Sequence, residues 1–222
     1  GMIITSVEPQ KESASRRTKR FNIYLDGEFA FGADEDLVVN RRLVPGKVLT
    51  TSDVEQILQE TEVGKLMERM YRLFNIRQRS EKEIKDYLKN LSFHRKMKGK
   101  EELSIFIIDA IVQLLTRKGF LDDELFAKAW AESRSRKYGP QRIKQELFKK
   151  GIDREVIEEA ISEKGKVISG REPAEILLEK KIRFWKDLDP LKFRKKAIEY
   201  LMRRGFEYDD IKQVVEKALE LR

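Results

Sequence analysis

Leu147-Phe-Lys-Lys-Gly-Ile152 decides the fold, because the chain repeats it. Leu88-Lys-Asn-Leu-Ser-Phe93 and Leu201-Met-Arg-Arg-Gly-Phe206 carry the same pattern: Leu, three variable residues, Ser or Gly, then Phe or Ile. Four residues ahead of each Leu stands another small or apolar residue, Ile84, Ile143 and Ala197, which is the spacing of one helix face. The copies begin 59 and then 54 residues apart. A period near that length marks tandem supersecondary units, each too thin to bury its own apolar face. Such arrays expose long surfaces, which suit binding to other macromolecules better than chemistry.

Outward from the repeat, the pattern is helical from Gly64 to the end, and the spacing predicts three units of three helices. In unit one, Leu66, Met70, Leu73 and Phe74 share a face of the first helix. Ser80-x-x-Glu83 is a capping box that opens the second. Ser92 to Lys100 reads as a long basic loop. Ile105, Ile108, Ile111, Val112 and Leu115 line the third helix, which ends at Gly119.

Unit two opens at Asp122-Asp123, with Phe126, Ala129, Trp130 and Ser133 as the inner stripe. Gly139-Pro140 starts its second helix, where Pro suits the first turn, and Gly151 ends it. Asp153 caps the third helix, which carries Val156, Ile157, Ala160 and Ile161. Lys164 to Glu172 is a Gly-containing linker. Unit three begins at Pro173 with Ile176, Leu177, Ile182, Phe184 and Trp185. Pro190 opens its second helix, Gly205 ends it, and Ile211, Val214, Val215, Ala218 and Leu219 line the last.

The first 63 residues read differently. Phe21 to Leu25 and Glu28 to Phe31 flank Asp26-Gly27, a strong hairpin signal because a type I′ turn needs positive φ at both central residues. Ile3 to Val7 supplies a third strand, with Glu8 to Arg17 as the loop between. Asp34 caps a short helix to Arg41, Val44-Pro45-Gly46 turns, and Thr51 or Ser52 caps a helix to about Glu62. The expected fold is therefore mainly α: an elongated array of three tandem three-helix repeats preceded by a small β-hairpin and helix module. The expected divisions are residues 1–63 for that module and 64–120, 121–163 and 172–222 for the repeats.

Composition bounds the function. The 222 residues are 40% hydrophobic and 39% charged, with a net charge of +8. Residues 1–63 hold 8 Lys and Arg against 11 Asp and Glu, whereas 64–222 hold 39 against 28. The basic character belongs to the helical array and points to an anionic partner. The absence of Cys excludes disulfides, thiolate metal sites and Cys nucleophiles, and fits the cytoplasm as the expected location. No apolar run approaches the ~20 residues that span a bilayer, and the start lacks a signal-peptide pattern. Gly1 before Met2 is set aside as foreign to the natural start.

The charge is segregated along the array. Residues 134–150 carry Arg134, Arg136, Lys137, Arg142, Lys144, Lys149 and Lys150 against Glu146 alone. Residues 190–204 carry Lys192, Arg194, Lys195, Lys196, Arg203 and Arg204 against Glu199. The third helix of unit two is acidic, with Asp153, Glu155, Glu158, Glu159 and Glu163. Stacked units would turn the basic second helices into a stripe for phosphates or an acidic protein face. The alternative is a solvated surface that keeps the chain soluble.

The candidate partner- or nucleic-acid-binding residues are Arg134, Arg136, Lys137, Tyr138, Arg142, Lys149, Lys150, Arg194, Lys195, Arg203 and Arg204. Arg142 sits in a first helical turn, where its charge opposes the macrodipole. It is there either for a partner or to pair with Glu132 or with Glu146 at i+4. Tyr138 serves contact or helix-junction packing, and Trp130 and Trp185 read as core.

Catalysis finds no candidates. Asp122-Asp123-Glu124 and Asp209-Asp210 read as helix caps rather than metal ligands, and His94 stands alone. No phosphate loop of the G-x-x-x-x-G-K-S/T type occurs. A phosphodiester-cleaving enzyme lacks the carboxylate or His cluster it would need, and no cofactor or metal is expected.

Four motifs in order then carry a resemblance: Arg79-Ser-Glu-Lys-Glu-Ile84, Lys118-Gly-Phe-Leu-Asp-Asp123 with Phe126-Ala127 and Trp130, Gly139-Pro-x-Arg142-Ile143, and Leu147-x-x-Lys-Gly-Ile152. Over residues 64–222 the chain resembles the RecX family, regulators of the RecA recombinase. Unit three keeps Arg-Arg-Gly-Phe206 but has Asp189-Pro190 in place of Gly-Pro-x-Arg. The chain is expected to be a monomer. The resemblance implies a non-enzymatic protein that binds RecA nucleoprotein filaments, its arched array lying in the filament groove. That would hinder strand exchange and ATP turnover and favour disassembly, bearing on recombination, DNA repair and the SOS response. Single- or double-stranded DNA is a further expected partner, and no membrane is. The rival expectation is a direct DNA-binding protein of tandem helix-turn-helix-like units.

Overall fold

The computed structural model describes residues 1–11, 19–61, 63–162 and 170–221. The chain folds as two compact units, residues 1–121 and 122–222.

In the first unit, β1 (Met2–Pro9), β2 (Arg20–Leu25) and β3 (Glu28–Asp34) pair antiparallel, and β4 (Val48–Leu49) adds to the far side of β1, in the order β3-β2-β1-β4. The hairpin forms at Asp26-Gly27, with φ of 50° and 87°, the two positive values of a type I′ turn. The loop expected from Glu8 to Arg17 is in part strand β1, and beyond Lys11 it lies outside the described residues. Asp34 caps α1 (Glu35–Asn40) by accepting from the Leu37 N–H. The cap of α2 (Thr51–Gln59) is Thr50, not Thr51 or Ser52. Thr50 and Asp53 accept each other's backbone N–H, and this capping box outcompetes a later start.

α3 (Val63–Ile76), α4 (Glu81–Met97) and α5 (Ile105–Arg117) follow, with the expected Ser80 and Glu83 capping box at α4. One core runs through the whole unit, from Ile4, Ile23 and Phe31 in the sheet to Leu58, Met70, Ile84, Leu88 and Ile111 in the helices. The Ser104 hydroxyl donates to the Ala30 carbonyl, tying the start of α5 to β3.

The basic loop expected from Ser92 is a correction: α4 continues to Met97. Gly151 and Gly205, at the matching positions, take φ of 76° and 83° and end their helices. A Ser resists that left-handed conformation, so the helix runs on until Gly99 at φ 66°. His94, Arg95 and Lys96 fill its last turn, where cations complement the helix dipole. Ser92 is buried, and its hydroxyl both accepts from the Leu103 N–H and donates to the Leu103 carbonyl.

The second unit contains α6 (Asp123–Arg134), α7 (Pro140–Lys149), α8 (Arg154–Ile161), α9 (Arg171–Ile182), α10 (Pro190–Arg203) and α11 (Tyr208–Glu220). Two cores form. One gathers Phe126, Ala127, Ile143, Leu147, Ile157 and Ile161; the other gathers Leu177, Phe193, Ala197, Leu201, Ile211 and Val215. The inner face of α6 is Phe126, Ala127, Trp130 and Ala131, whereas Ala129 and Ser133 are exposed, a register one residue from that expected. Ile176 and Phe184 are likewise exposed. Asp153 precedes α8 but makes no side-chain cap bond. The expected linker lies largely outside the described residues.

Candidate functional site

The seam between the two three-helix sets of the second unit positions the candidate residues. α7 has no side-chain cap: its N-cap is Gly139 and its first residue is Pro140, which lacks an N–H. The neighbouring set supplies the bonding instead. Gly139 N–H donates to Arg204 O at 2.8 Å, and Gln141 N–H donates to Gly205 O at 3.1 Å.

Both glycines are required by close approach. A Cβ on Gly139 would fall 2.4 Å from Gly205 O, and one on Gly205 would fall 2.4 Å from Arg142 Cβ. The Arg204 side chain completes the seam by donating to Lys137 O at 2.9 Å. α10 begins differently, capped by the Asp189 side chain, which accepts from Lys192 N–H at 3.0 Å.

Behind the seam the Glu146 carboxylate gathers donors. Trp130 Nε1 reaches it at 2.9 Å, Arg134 at 3.0 and 2.6 Å, and Arg142 at 3.2 Å. Burial works against the charge on Glu146, but the hydrogen bonds from Arg134 and Trp130 and the Arg134 charge outweigh it. They hold the carboxyl below its ordinary range. The same bond raises Arg134 above its ordinary value. Tyr138 lies among three guanidiniums, with Arg142 at 4.0 Å, Arg134 at 4.2 Å and Arg204 at 5.4 Å from its ring centre.

The eleven candidate residues therefore fall into two sets. Arg134, Tyr138, Arg142 and Arg204 are built into the seam. Lys150 rests over the Trp130 ring at 4.4 Å, and Arg194 is paired with Glu216 at 2.9 Å. Arg136, Lys137, Lys149, Lys195 and Arg203 are exposed, and their side chains have no partner among the described residues. Arg142, Lys149 and Arg203 line one groove of about 510 Å³ together with Gln141, Gln145 and Phe206.

Two residues the charge pattern did not single out stand beside these cations. Phe148 is 74% exposed and Met202 51% exposed, each immediately before an unpaired cation, Lys149 and Arg203. They occupy the same position in the two copies of the repeat. The signal was present in the sequence as a large apolar residue following the buried Leu, on the wrong face for the core.

The comparisons agree with this architecture. Three family models match: the regulatory protein RecX N-terminal domain over residues 2–50, the RecX second three-helix domain over 122–161, and the RecX third three-helix domain over 172–215. The regulatory protein RecX of Listeria monocytogenes is 34% identical over 164 residues, which are 73% of this chain and 56% of that protein. The chain thus spans little more than half the length of that relative. Its namesakes from Bacillus velezensis and Bacillus subtilis are each 32% identical, over 97% and 96% of this chain and 77% and 76% of theirs.

A crystal structure of regulatory protein RecX superposes with a TM-score of 0.59 at 24% identity, covering 97% of this chain and 99% of that one. That of RecX from Lactobacillus salivarius gives 0.60 at 23% identity, over 72% and 98%. At such identities these likenesses speak for the fold.

Proposed function

This chain belongs to the RecX family of regulatory proteins, and from that premise we propose that it is a non-enzymatic regulator that binds the RecA nucleoprotein filament and restrains it. The observation that carries the reading is the repeated surface pair, Phe148-Lys149 on α7 and Met202-Arg203 at the end of α10. One exposed apolar side chain beside one unpaired cation, presented twice at the same register, suits a partner whose surface also repeats. A filament of identical subunits is such a partner. The apolar member supplies burial on contact, and the cation supplies steering and charge selectivity.

The seam residues serve this surface indirectly. The backbone bonds from Gly139 and Gln141 to Arg204 and Gly205, with the Arg204 side chain on Lys137 O and over Tyr138, hold the two three-helix sets in register, so that the two pairs keep a fixed spacing. Restraint then follows from occupancy: a protein seated across successive subunits opposes strand exchange and ATP turnover.

The test is the single-stranded-DNA-dependent ATPase of RecA, titrated with this protein at low and at moderate salt. The reading predicts loss of turnover well below one molecule per RecA, persisting at moderate salt. Inhibition that requires enough protein to coat the DNA and disappears with salt would instead mean competition for the strand, and the direct DNA-binding reading would replace this one.

A further inference from the structure

The first unit holds a cleft of about 940 Å³ that the filament reading leaves unused. Its walls come from separate elements: Arg20 from β2, Arg69 from α3, His94 and Arg95 from α4, and Lys98 and Lys100 from the turn that follows. Complementing the α4 dipole accounts for the cations of the last turn. It does not account for Arg20 and Arg69, which belong to other elements and converge on the same space. Arg69, Lys98 and Lys100 are exposed, and their side chains have no partner among the described residues. This basic cleft is set partly in a stretch, residues 1–63, whose own balance is acidic.

The cleft is also built. Gln10 donates to Asn22 Oδ1 at 2.7 Å and to Glu101 at 3.3 Å, and Arg20 stands 3.6 Å from Glu101. Gly32 makes room for that pair, since a Cβ there would fall 2.5 Å from the Glu101 carboxylate and 2.9 Å from Arg20. Glu101 is the one acid among the described residues lining the cleft.

The chemistry of the walls selects the occupant. No phenyl, phenol or indole ring among the described residues lines the cleft, so its lining favours contact with a backbone over base stacking, with the His94 imidazole the one aromatic ring there. A peptide docked as an added strand or by an apolar helix face would need a free strand edge or an apolar groove. Yet β2 is an inner strand, and Leu91 is the one large aliphatic residue among the lining. An acidic peptide carries its charge only where an acidic side chain stands, whereas a nucleic-acid strand carries one at every residue. A run of phosphates, evenly charged along its length, suits guanidinium and ammonium groups that converge from several elements.

We propose that this cleft binds the phosphodiester backbone of a single nucleic-acid strand, without sequence preference. The site belongs to the first unit, whereas α7 and α10 belong to the second, and its test needs no recombinase.

The experiment is fluorescence anisotropy of a labelled oligothymidylate with the full chain across a salt series. The Arg69→Glu, Lys98→Glu, Lys100→Glu variant removes three contacts. At about 0.7 in salt slope per contact, the slope falls by about 2 and affinity at 0.1 M salt falls about 100-fold. Circular dichroism matching the parent chain confirms that the variant is folded. Glu101→Gln removes the opposing charge and tightens binding about 5-fold on the same scale. A triple variant with the parent's affinity and slope would overturn the proposal. So would displacement of the oligonucleotide by micromolar ATP, which would assign the cleft to a free nucleotide.

Discussion

Glu146 is the residue on which the charge chemistry of the second unit turns. It accepts from Trp130, Arg134 and Arg142, and so joins α6 to α7 beneath Tyr138. Its folded pKa lies below the ordinary 4.5, so the stability it contributes is fully present above about pH 4.5 and is lost as pH falls through the lower, folded value. Glu146→Gln is expected to cost about 1.5–3 kcal/mol at pH 7, the range for a hydrogen bond to a charged group. It should also flatten the acid limb of the melting temperature against pH. A variant whose melting temperature follows the parent's at every pH would remove Glu146 from the account.

Sequence alone made part of this legible. Arg142 and Glu146 are four apart on one helix, a pairing that spacing suggests. The Arg134 and Trp130 bonds span 12 and 16 residues and depend on how α6 meets α7, which periodicity does not encode. For that reason charge counting grouped seam cations such as Arg134 with exposed ones such as Lys149.

At the scale of elements, small residues decide where helices stop and meet. Gly205 combines a φ of 83° with a backbone approach that leaves no space for a Cβ. Gly205→Ala is expected to destabilise the second unit by roughly 1–3 kcal/mol, from left-handed strain and overpacking against Arg142. A melt unchanged from the parent's would contradict the seam. Ser92 occupies the matching place in the first unit, but there the helix passes through. Ser92→Ala strips the Leu103 N–H of its acceptor in a buried site, for an expected loss of about 1–3 kcal/mol by urea denaturation. The repeat pattern located the second helix of all three units, yet it misread Ser92 as a stop. The pattern treats Ser and Gly as equivalent, and in the left-handed region they are not.

For the whole molecule, sequence left open whether the N-terminal module packs on the helices that follow. The continuous core from Ile4 to Leu121 joins them in one unit, so the cleft walls of β2, α3 and α4 are held by shared packing. The second unit presents the twin pairs Phe148-Lys149 and Met202-Arg203 on a seam that fixes their spacing. Each unit thus carries its own proposed site, the first for a strand and the second for a filament.

The central claim is that the twin pairs grip the RecA filament. The most direct measurement is inhibition of the RecA ATPase by the Lys149→Glu, Arg203→Glu variant beside the parent chain, at moderate salt and with matched helicity. The account predicts that the variant needs about tenfold more protein or more for half-inhibition, the cost of losing two charged contacts at an interface. Half-inhibition at the parent's concentration would contradict it.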